Sequence, residues 1–392
     1  SRPIVVSNDA RLTIEAGTTI LGEQGSALIV SPDGFLDAQG SPSAPIVFTS
    51  ASEPGDRSAG DWGGLALLGW APALGEARPL QGLVNEVTRA VYGGDTAPHN
   101  CGILSYVRVE FAGSRVSADE GLDALTLAGC GTKTVVDRVQ VHRALNDGVQ
   151  VLGGRVGLQH LLVTGSGEDG LDWDQGWQGV GQFIVVQQQI HTQAGAVESA
   201  IHGRGADRPD GAPRSMPFLS NVTLIGPGSG RGLHVGMTLS DGTAGQLVNV
   251  LSVGFGGDIY DVADPETALV AEREQLGVRA VVAHDIGADG RTPFRPEIGD
   301  DDDDDGFDEQ HMFEDPASGN RMVSSTLLTR AASDVEDPDF IPLATVWVDS
   351  TAAERPPEGP FWDESARFIG AMEPGSSPNE AWYSAWARFP LD

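Results

Sequence analysis

An acidic residue, a glycine and a short apolar strand recur along the chain at a nearly constant interval. Asp123, Asp147 and Asp169 each precede such a strand, in ALTLAG, GVQVLGG and GLDWDQG, so the steps are 24 and 22 residues. That interval equals one coil of a three-sided parallel β-helix and is too short for a propeller blade. Each coil buries its inward side chains only when the next coil stacks about 4.8 Å further along the axis. The interval therefore favours a solenoid over the sandwich or propeller that short strands also allow.

Short strands are predicted over most of the chain, and little of the sequence between them has helical periodicity. In LTIEAGTTILG and SALIVSPDGFLDAQG, apolar residues alternate over a few positions and then meet Gly, Pro, Asp or Asn. Apolar triplets such as LLV and IVV are typical of parallel strands, which are buried on both faces. The one helix expected covers residues 264–277, where Asp264 can cap the N-terminus, Pro265 starts the first turn and Gly277 ends the helix.

Three segments depart from the coil interval: residues 51–100, 203–217 and 285–342. The first is expected to be an inserted loop with one strand pair, and the last is too acidic to form a packed core. The expected organisation is N-terminal coils in 1–50, the inserted loop in 51–100, central coils in 101–284, an acidic calcium-binding-like insertion in 285–342, and a C-terminal strand with an aromatic cap in 343–392.

Both ends of the chain resemble known bacterial sequences. LTIEAGTTILGEQGSALIVSPDGFLDAQGSPSAPIVFTS is similar to the opening coils of secreted bacterial right-handed β-helix proteins. The closing RFIGAMEPGSSPNEAWYSAWARF resembles the end of uncharacterised bacterial surface proteins and lipoproteins that share GAxxP…W…GW, although Ser384-Ala385-Trp386 lacks the glycine. The resemblance implies an all-β fold, a right-handed single-stranded parallel β-helix with loop insertions and a short helix, and export from the cell. It implies no catalytic activity.

The charge balance excludes one class of partner. The chain has 56 acidic residues against 24 Lys and Arg, which gives a formal net charge of -32 at pH 7. Nucleic acid is therefore not expected as a partner, because its binding needs a basic surface. Such acidity fits cation binding, a salty medium or simple solubility. No apolar run is long enough for a transmembrane segment, and the strand-like start at Ser1 predicts a mature form whose leader has been removed.

Two cysteines, Cys101 and Cys130, lie in the glycine-flanked, loop-like text NCGIL and AGCGT. A disulfide between them would suit an oxidising compartment outside the cytoplasm. The alternative is that both remain unpaired and pack as small hydrophobic side chains.

Stacked coils would bring several carboxylates into one file. In register, Asp147 and Asp169 lie about one strand spacing apart, where carboxylates repel by roughly 1 to 3 kcal/mol at intermediate dielectric. Raised pKa values would relieve this repulsion, and so would a bridging Ca²⁺. The alternative is that each Asp caps a turn by accepting backbone N–H groups. The predicted Ca²⁺ ligands in this file are Asp147, Glu168, Asp169, Asp172 and Asp174. Glu198 is a candidate for the following coil, where the interval is irregular.

A second calcium site is predicted in IGDDDDDDGFDEQ. Aspartates at alternate positions, followed by a glycine, match the start of a Ca²⁺ loop, although position twelve is Met312 instead of glutamate. The alternative is a solvated acidic loop, because a run of six aspartates matches alternate-aspartate spacing partly by composition alone. The predicted ligands are Asp301, Asp303, Asp305, the carbonyl of Phe307, and Glu309 or Glu314.

Catalysis is an alternative use of the same acidic file. β-Helix polysaccharide lyases and hydrolases pair acidic residues on an outer face with a basic group or a second carboxylate. The candidate catalytic residues are then Asp169, Asp172 and Asp174, with Arg204 as the base. No P-loop, dinucleotide-binding or Gly-x-Ser-x-Gly motif accompanies them.

Tryptophans stand in two places, Trp173 and Trp177 beside the acidic turn, and Trp382 and Trp386 near the C-terminus. Surface tryptophans beside carboxylates can stack on sugar rings, so a carbohydrate platform is one interpretation. For the C-terminal pair we expect instead that the rings close the solenoid by covering its last coil.

The function that fits these features is that of an exported, calcium-stabilised structural and adhesive protein, extracellular or at the bacterial cell surface. Open strand edges at the ends of a solenoid can template pairing. Its expected partners are therefore further copies of itself, joined end to end into filaments, or a surface polysaccharide. The alternative is a carbohydrate-active β-helix enzyme, a lyase or a hydrolase, that uses the Asp169, Asp172 and Asp174 face.

Overall fold

The computed structural model of the chain describes residues 2–82, 90–114, 121–189, 198–205, 212–296, 303–349 and 351–392. Its strands are β1 (Ile4–Val6), β2 (Arg11–Ile14), β3 (Thr19–Gly22), β4 (Leu28–Val30), β5 (Phe35–Gln39), β6 (Ile46–Ser50), β7 (Leu65–Leu68), β8 (Arg78–Pro79), β9 (Val91–Tyr92), β10 (Gly102–Glu110), β11 (Leu125–Ala128), β12 (Val135–His142), β13 (Val149–Leu152), β14 (Gly157–Thr164), β15 (Leu171–Asp174), β16 (Val180–Gln187), β17 (Ser199–Arg204), β18 (Phe218–Ile225), β19 (Val235–Ser240), β20 (Gly245–Val253), β21 (Asp261–Val262), β22 (Leu276–His284) and β23 (Arg321–Met322). The α-helices are α1 (Pro265–Glu272) and α2 (Glu309–Glu314), and short 3-10 helices cover Arg330–Ser333 and Pro378–Glu380.

The strands stack as successive coils of a right-handed parallel β-helix, so the predicted all-β class is confirmed. Sheet A runs in the order β1, β4, β7, β11, β13, β15, β17, β19, β21, and sheet B runs from β2 and β5 through β10, β12, β14, β16, β18, β20 and β22 to β23. Leu125 pairs with Val149, and Val149 pairs with Leu171. These pairs reproduce the 24- and 22-residue steps of the sequence.

The strands of sheet B bend once in each coil, which gives the coil three sides. Ser105 pairs with Asp137 and Val107 with Val139, whereas the residues between them fall out of the pairing. Each residue at the bend has a left-handed backbone with φ between 50° and 62°. The column consists of Tyr106, Arg138, His160, Phe183, Asn221, Asn249 and Ala280. We call the part of sheet B before this column the first arm and the part after it the second arm.

Apolar side chains from the three sides meet in one continuous interior. Trp173 and Trp177 lie there with no exposed surface, and their indole N–H groups donate to Thr243 Oγ1 and to the carbonyl of Val156, both at 3.1 Å. Gly203, the register partner of Trp173, makes room for the indole, since a Cβ there would lie 2.3 Å from the ring. The predicted carbohydrate platform at these two tryptophans is therefore wrong, because the core covers their ring faces.

Residues 51–100 contribute more to the solenoid than an inserted loop would. Strand β7 lies between β4 and β11 in sheet A, so the text WGGLALLGWAP contains part of a coil. Strands β8 and β9 form a separate antiparallel pair. Cys101 and Cys130 form the predicted disulfide, and both residues are fully buried.

Helix α1 begins where the sequence predicts and ends earlier. Asp264 caps it, accepting the N–H of Thr267 at 2.8 Å, and Pro265 lies in the first turn. The helix stops at Glu272 because Leu276–His284 is taken up by β22, which pairs with β20, so Gly277 lies inside a strand. Among the residues that the structure describes, no helix is both long enough and apolar enough to cross a membrane.

Residues 323–392 lie along the outer face of sheet B, mainly on the second arm, while Phe361 and Trp362 reach Gln159 and Phe218 of the first arm. The ring of Trp386 contacts Tyr106 of β10 and that of Trp382 contacts His160 of β14, with centroids 6.0 and 5.3 Å apart. The prediction that these tryptophans cap the last coil is therefore wrong, since they contact the sides of coils in the middle of the stack. The predicted C-terminal strand is also absent from the described part of 343–392.

Polar side chains of sheet B hold this C-terminal segment through its backbone. Asn221 is fully buried, and its side-chain amide donates to the carbonyls of Ala366 and Phe368 at 3.2 and 2.8 Å. Such bonds satisfy backbone groups that would otherwise be buried without partners. The same pattern joins Gln140 to Arg388, His142 to Pro390, Gln159 to Phe361, Gln182 to Asp363, Gln187 to Ala332 and Asp334, and Asn249 to Glu354.

The acidic insertion covers the last coil of the solenoid. Phe294 and Phe313 pack against Tyr260, with ring centroids 5.0 and 6.5 Å from it. Glu309, at the start of α2, accepts the N–H of Val262 in β21 at 3.4 Å. The expectation that acidic density keeps this region out of a packed core is therefore wrong, because the aromatic residues between the acidic runs supply apolar surface.

Replacing Asn221 with leucine should lower the free energy of unfolding by about 2 to 4 kcal/mol. The change leaves two buried carbonyls without a donor and places a bulky side chain on left-handed backbone. Urea denaturation followed by circular dichroism measures the loss. Gln39→Leu, an exposed position at the end of β5, is the matched control and should stay within about 0.5 kcal/mol of the parent. Equal effects of the two substitutions would contradict the role of Asn221.

Candidate functional site

Asp123, Asp147 and Asp169 form a ladder at the bends that precede the strands of sheet A. Asp123 Oδ1 accepts the N–H of Asp147 at 3.3 Å, and Asp147 Oδ1 accepts the N–H of Asp169 at 2.9 Å. Asp169 Oδ1 in turn accepts the N–H of Ser199 at 2.7 Å. The carboxylates do bind backbone donors, as the capping alternative holds, but each donor belongs to the following coil.

Strand β17 supplies two further partners to this cluster. Arg204 Nη2 donates to Asp172 Oδ2 at 2.7 Å, and His202 Nδ1 lies 3.0 Å from Asp169 Oδ2. Asp172 has no exposed surface, and its Oδ1 has no hydrogen-bond partner among the described residues. A guanidinium of the chain itself thus offsets part of the repulsion expected between stacked carboxylates.

Burial raises the pKa of several acids in the cluster. It raises the pKa of Asp123 to about 8, with the charge of Asp172 adding to the effect, and the pKa of Glu198 to about 7. The pKa of Asp147 is also raised well above its ordinary value by burial and by the charge of Asp123. The pKa of Asp172 rises to about 6, since burial outweighs the opposing effect of Arg204. Retained protons are therefore a second way in which the file tolerates its carboxylates.

The structure places the other predicted residues of the file around this centre. Glu168 is exposed at the bend before β15, and Glu198 lies one coil further, at the equivalent position before Ser199. Asp174, two residues after Asp172, accepts hydrogen bonds from the backbone and side chain of Gln175.

Asp169, Asp172 and His202 form the one group in the described part of the chain whose potential metal-ligand atoms lie within 4.8 Å of one another. An imidazole nitrogen with carboxylates suits zinc or another transition metal, whereas Ca²⁺ takes oxygen ligands. Arg204 already places a positive charge on Asp172. The donor set therefore does not fit the Ca²⁺ predicted for this file, and calcium binding there stays a prediction.

His202 and Ser240 are the residues of this centre that the sequence interpretation misses. His202 Nε2 lies 3.3 Å from Ser240 Oγ. The coils that carry them are longer than their predecessors, since Leu171 pairs with Ile201 and Ile201 pairs with Met237. A fixed 22-to-24-residue step cannot find these partners. The alternating text SAIHGR and VGMTLS is the signal that would have identified the two strands.

Among the described aspartates of the run near residue 300, Asp304 has a buried carboxylate. Its Oδ1 accepts the N–H groups of Gly306 and Phe307 at 3.0 and 2.9 Å, while its Oδ2 has no partner within the described residues. The predicted ligands lie around it: Asp303 and Asp305 are exposed, Glu309 is buried, Glu314 is exposed, and Asp301 lies outside the described residues.

The stacked parallel coils define a single-stranded β-helix protein. The family model of the pectate-lyase-like β-helix domain matches residues 1–301, and the chain belongs to this family. The acidic cluster lies inside the matched region. The match ends before the C-terminal GAMEP…W…W text, whose resemblance to bacterial surface proteins stays a prediction. No curated protein and no solved structure matches the chain.

Raising the pH from about 4 to about 8 should lower the melting temperature by several degrees. The unfolded chain ionises Asp123 and Glu198 near pH 4, while the folded chain holds their protons until about pH 8 and pH 7. Their contribution to stability is fully present below pH 4 and is lost as the pH rises through the folded values. Circular dichroism melts at constant ionic strength, with a chelator present, measure the profile.

The substitution Asp123→Asn should flatten the upper part of that decline, because it removes a carboxyl group whose pKa in the folded chain lies at about 8. Asp289→Asn, at an exposed carboxylate, is the control and should keep the parent profile. A decline that is identical in the parent and in Asp123→Asn would contradict the role given to Asp123.

Proposed function

We propose that this protein is an extracellular β-helix that binds a neutral polysaccharide along the outer face of sheet A, as an adhesive or structural component of a cell surface. One observation carries the proposal: the central coils line up polar side chains on the outside of sheet A, while residues 323–392 cover the second arm of sheet B. Of these two faces, sheet A is therefore the one that offers hydrogen-bonding groups to a ligand.

Register stacks these side chains in two rows with a spacing of about 4.8 Å. An extended polymer with many hydroxyl groups can donate and accept hydrogen bonds along such rows. Arg204 and His202 are 37% and 22% exposed, so both can meet a ligand, whereas Asp172 supports Arg204 from below. The first row is Gln150, Asp172, His202 and Thr238. In the second row Arg204 pairs with Ser240, and Asp174 ends the preceding strand, β15.

Charge and compartment support the choice of ligand and location. A net charge of -32 repels an anionic polymer, and the one guanidinium in the rows is already paired with Asp172. A neutral polysaccharide meets no such penalty. The buried disulfide between Cys101 and Cys130 is typical of proteins that work in an oxidising compartment, which supports an extracellular location.

A panel of neutral and anionic polysaccharides cast into native gels tests this proposal. At least one neutral polymer should retard the protein, and the double substitution Gln150→Ala/Asp174→Ala should weaken that retardation about tenfold by removing hydrogen-bonding groups from both rows. Gln39→Ala, an exposed glutamine on sheet B, should leave it unchanged. Retardation by anionic polymers alone, or by none of the panel, would count against the proposal.

We also propose that Ca²⁺ stabilises the acidic C-terminal end of the solenoid. The buried Asp304 Oδ2 without a partner supports this, and so does Asp261, whose pKa burial and the nearby Asp303 raise to about 6. Only Arg295 offsets charge there among the ion pairs described, and it is engaged with Asp258 at 2.6 Å. An ion with oxygen ligands would relieve the remaining repulsion.

Removing calcium with a chelator should lower the melting temperature by several degrees at neutral pH. Asp304→Asn should abolish that response, because it takes away the buried carboxylate, whereas Asp289→Asn should preserve it. Differential scanning fluorimetry with Ca²⁺, Mg²⁺ and chelator measures the effect. A parent protein that melts at the same temperature with and without calcium would remove the ion from the proposal.

End-to-end assembly has support at one end of the solenoid only. At the other end α2 and Phe313 lie on the last coil, where Glu309 accepts the N–H of Val262 and so occupies part of the edge of β21. Ile4 and Leu21, in the first coil, are 64% and 58% exposed. Filaments made by stacking both ends would require the acidic insertion to move, so we do not extend the proposed function to them.

A further inference from the structure

We propose that Ser240, His202 and Asp169 form a nucleophile, base and orienting carboxylate that hydrolyse acyl esters carried by the bound polysaccharide. Ser240 Oγ lies 3.3 Å from His202 Nε2, and His202 Nδ1 lies 3.0 Å from Asp169 Oδ2. These are the contacts that nucleophilic catalysis by a serine requires, in the required order. The choice of a polysaccharide ester as substrate rests on the proposed function, whereas the geometry of the three side chains is independent of it.

The hydrogen bonds indicate which imidazole nitrogen donates. A carboxylate oxygen accepts, so in the contact with Asp169 Oδ2 the donor is Nδ1 of His202. In the neutral ring Nε2 is then free to accept, and its partner is the hydroxyl of Ser240. This tautomer is the one that lets His202 take the proton of Ser240.

The β-helix brings the three residues together by supplying one from each of three successive coils. Asp169 precedes β15, His202 lies on β17 and Ser240 ends β19. The second carboxylate oxygen of Asp169 is held by the N–H of Ser199 at 2.7 Å, so the orienting group is fixed by the backbone of the coil that carries His202.

Solvent access distinguishes this histidine from another one with similar neighbours. His202 is 22% exposed, and Ser240 is also partly exposed. His142 has a hydroxyl partner too, Thr164 Oγ1 at 2.7 Å, but it is 1% exposed and its other nitrogen lies 2.7 Å from the carbonyl of Pro390. His142 therefore has a structural role, while a substrate can reach His202.

Arg204 is placed to stabilise the negative charge that develops on the carbonyl oxygen. It is the register partner of Ser240, so the two side chains leave neighbouring strands on the same face. Asp172 holds one Nη of Arg204 at 2.7 Å, and the Arg204 side chain remains partly exposed. A fixed cation beside the nucleophile is the arrangement that favours an oxyanion.

The reaction balances with water as the only co-reactant. Ser240 Oγ bonds to the acyl carbon while its proton passes to His202 Nε2; the bond from that carbon to the sugar oxygen then breaks, and His202 returns the proton to the sugar. Water attacks the acyl–Ser240 ester by the same proton route. The products are a sugar hydroxyl, a free carboxylic acid and the restored serine.

A fluorophosphonate probe and p-nitrophenyl acetate test the proposal on the intact chain. The probe should label Ser240, identified by mass spectrometry of the labelled peptide, and the chain should hydrolyse the ester. Ser240→Ala and His202→Gln should each lower kcat by at least about 100-fold. Ser229→Ala is the matched control, since Ser229 Oγ bonds a carboxylate, Asp285 Oδ1, without a histidine, and it should retain full activity.

Asp169 acts through His202, so its substitution needs a more specific measurement. Asp169→Asn should lower kcat with little change in KM, because it disturbs the orientation of the imidazole and not the binding of the ester. Circular dichroism melts establish that each variant is folded. If Asp169→Asn does not fold, Ser240→Ala tests the proposal in its place. Proportional loss of activity and of folded protein in every variant would overturn the proposal.

Two other outcomes would also overturn it. Activity that disappears with a chelator and returns with a divalent metal, without labelling of Ser240, would mean that Asp169, Asp172 and His202 hold a metal instead. No labelling and no ester hydrolysis by the parent protein would exclude the triad outright. Retardation of the parent protein by a neutral polysaccharide, measured beside its ester hydrolysis, separates the two proposals, since binding can persist where no ester is hydrolysed.

Discussion

Parallel backbone pairing between successive coils, in strict register, is the constraint on which the rest of this structure depends. It sets each residue of one coil against one residue of the next, about 4.8 Å away. Apolar residues thereby stack into an uninterrupted interior, and the left-handed residues at the bend stack into a column from Tyr106 to Ala280. The same rule must also stack whatever polar residues the coils carry.

The same register also stacks carboxylates, and their mutual repulsion costs free energy. The chain offsets this cost in three ways. Backbone N–H groups of the next coil bind Asp123, Asp147 and Asp169. Arg204 pairs with Asp172, and burial leaves protons on several of the acids near neutral pH. These arrangements offset part of the repulsion in the file, and they also leave a basic, an acidic and a hydroxyl group side by side at one place on sheet A.

The outer faces of the coil differ in what covers them, because the C-terminal part of the chain packs along one of them. Residues 323–392 lie on the outer face of sheet B, where Asn221 of the bend column and Gln140 of the second arm bind their backbone. Those polar residues are therefore structural, although their exposure in an isolated β-helix would make them look like a ligand site. Sheet A keeps its outward rows, and both proposals about ligands rest on that difference.

The sequence by itself determines the architecture, because the interval between Asp123, Asp147 and Asp169 follows from the fixed length of a coil, and the cap of α1 is local chemistry around Asp264. It also identifies the disulfide and most of the acidic file. The partners of that file depend on coils whose lengths change, so His202 and Ser240 could not be placed by counting. Only the tertiary structure decides that Trp173 is core, that Trp386 lies on the side of the helix and that Phe313 covers its end. Those outcomes depend on contacts between residues far apart in the chain, which no local pattern encodes.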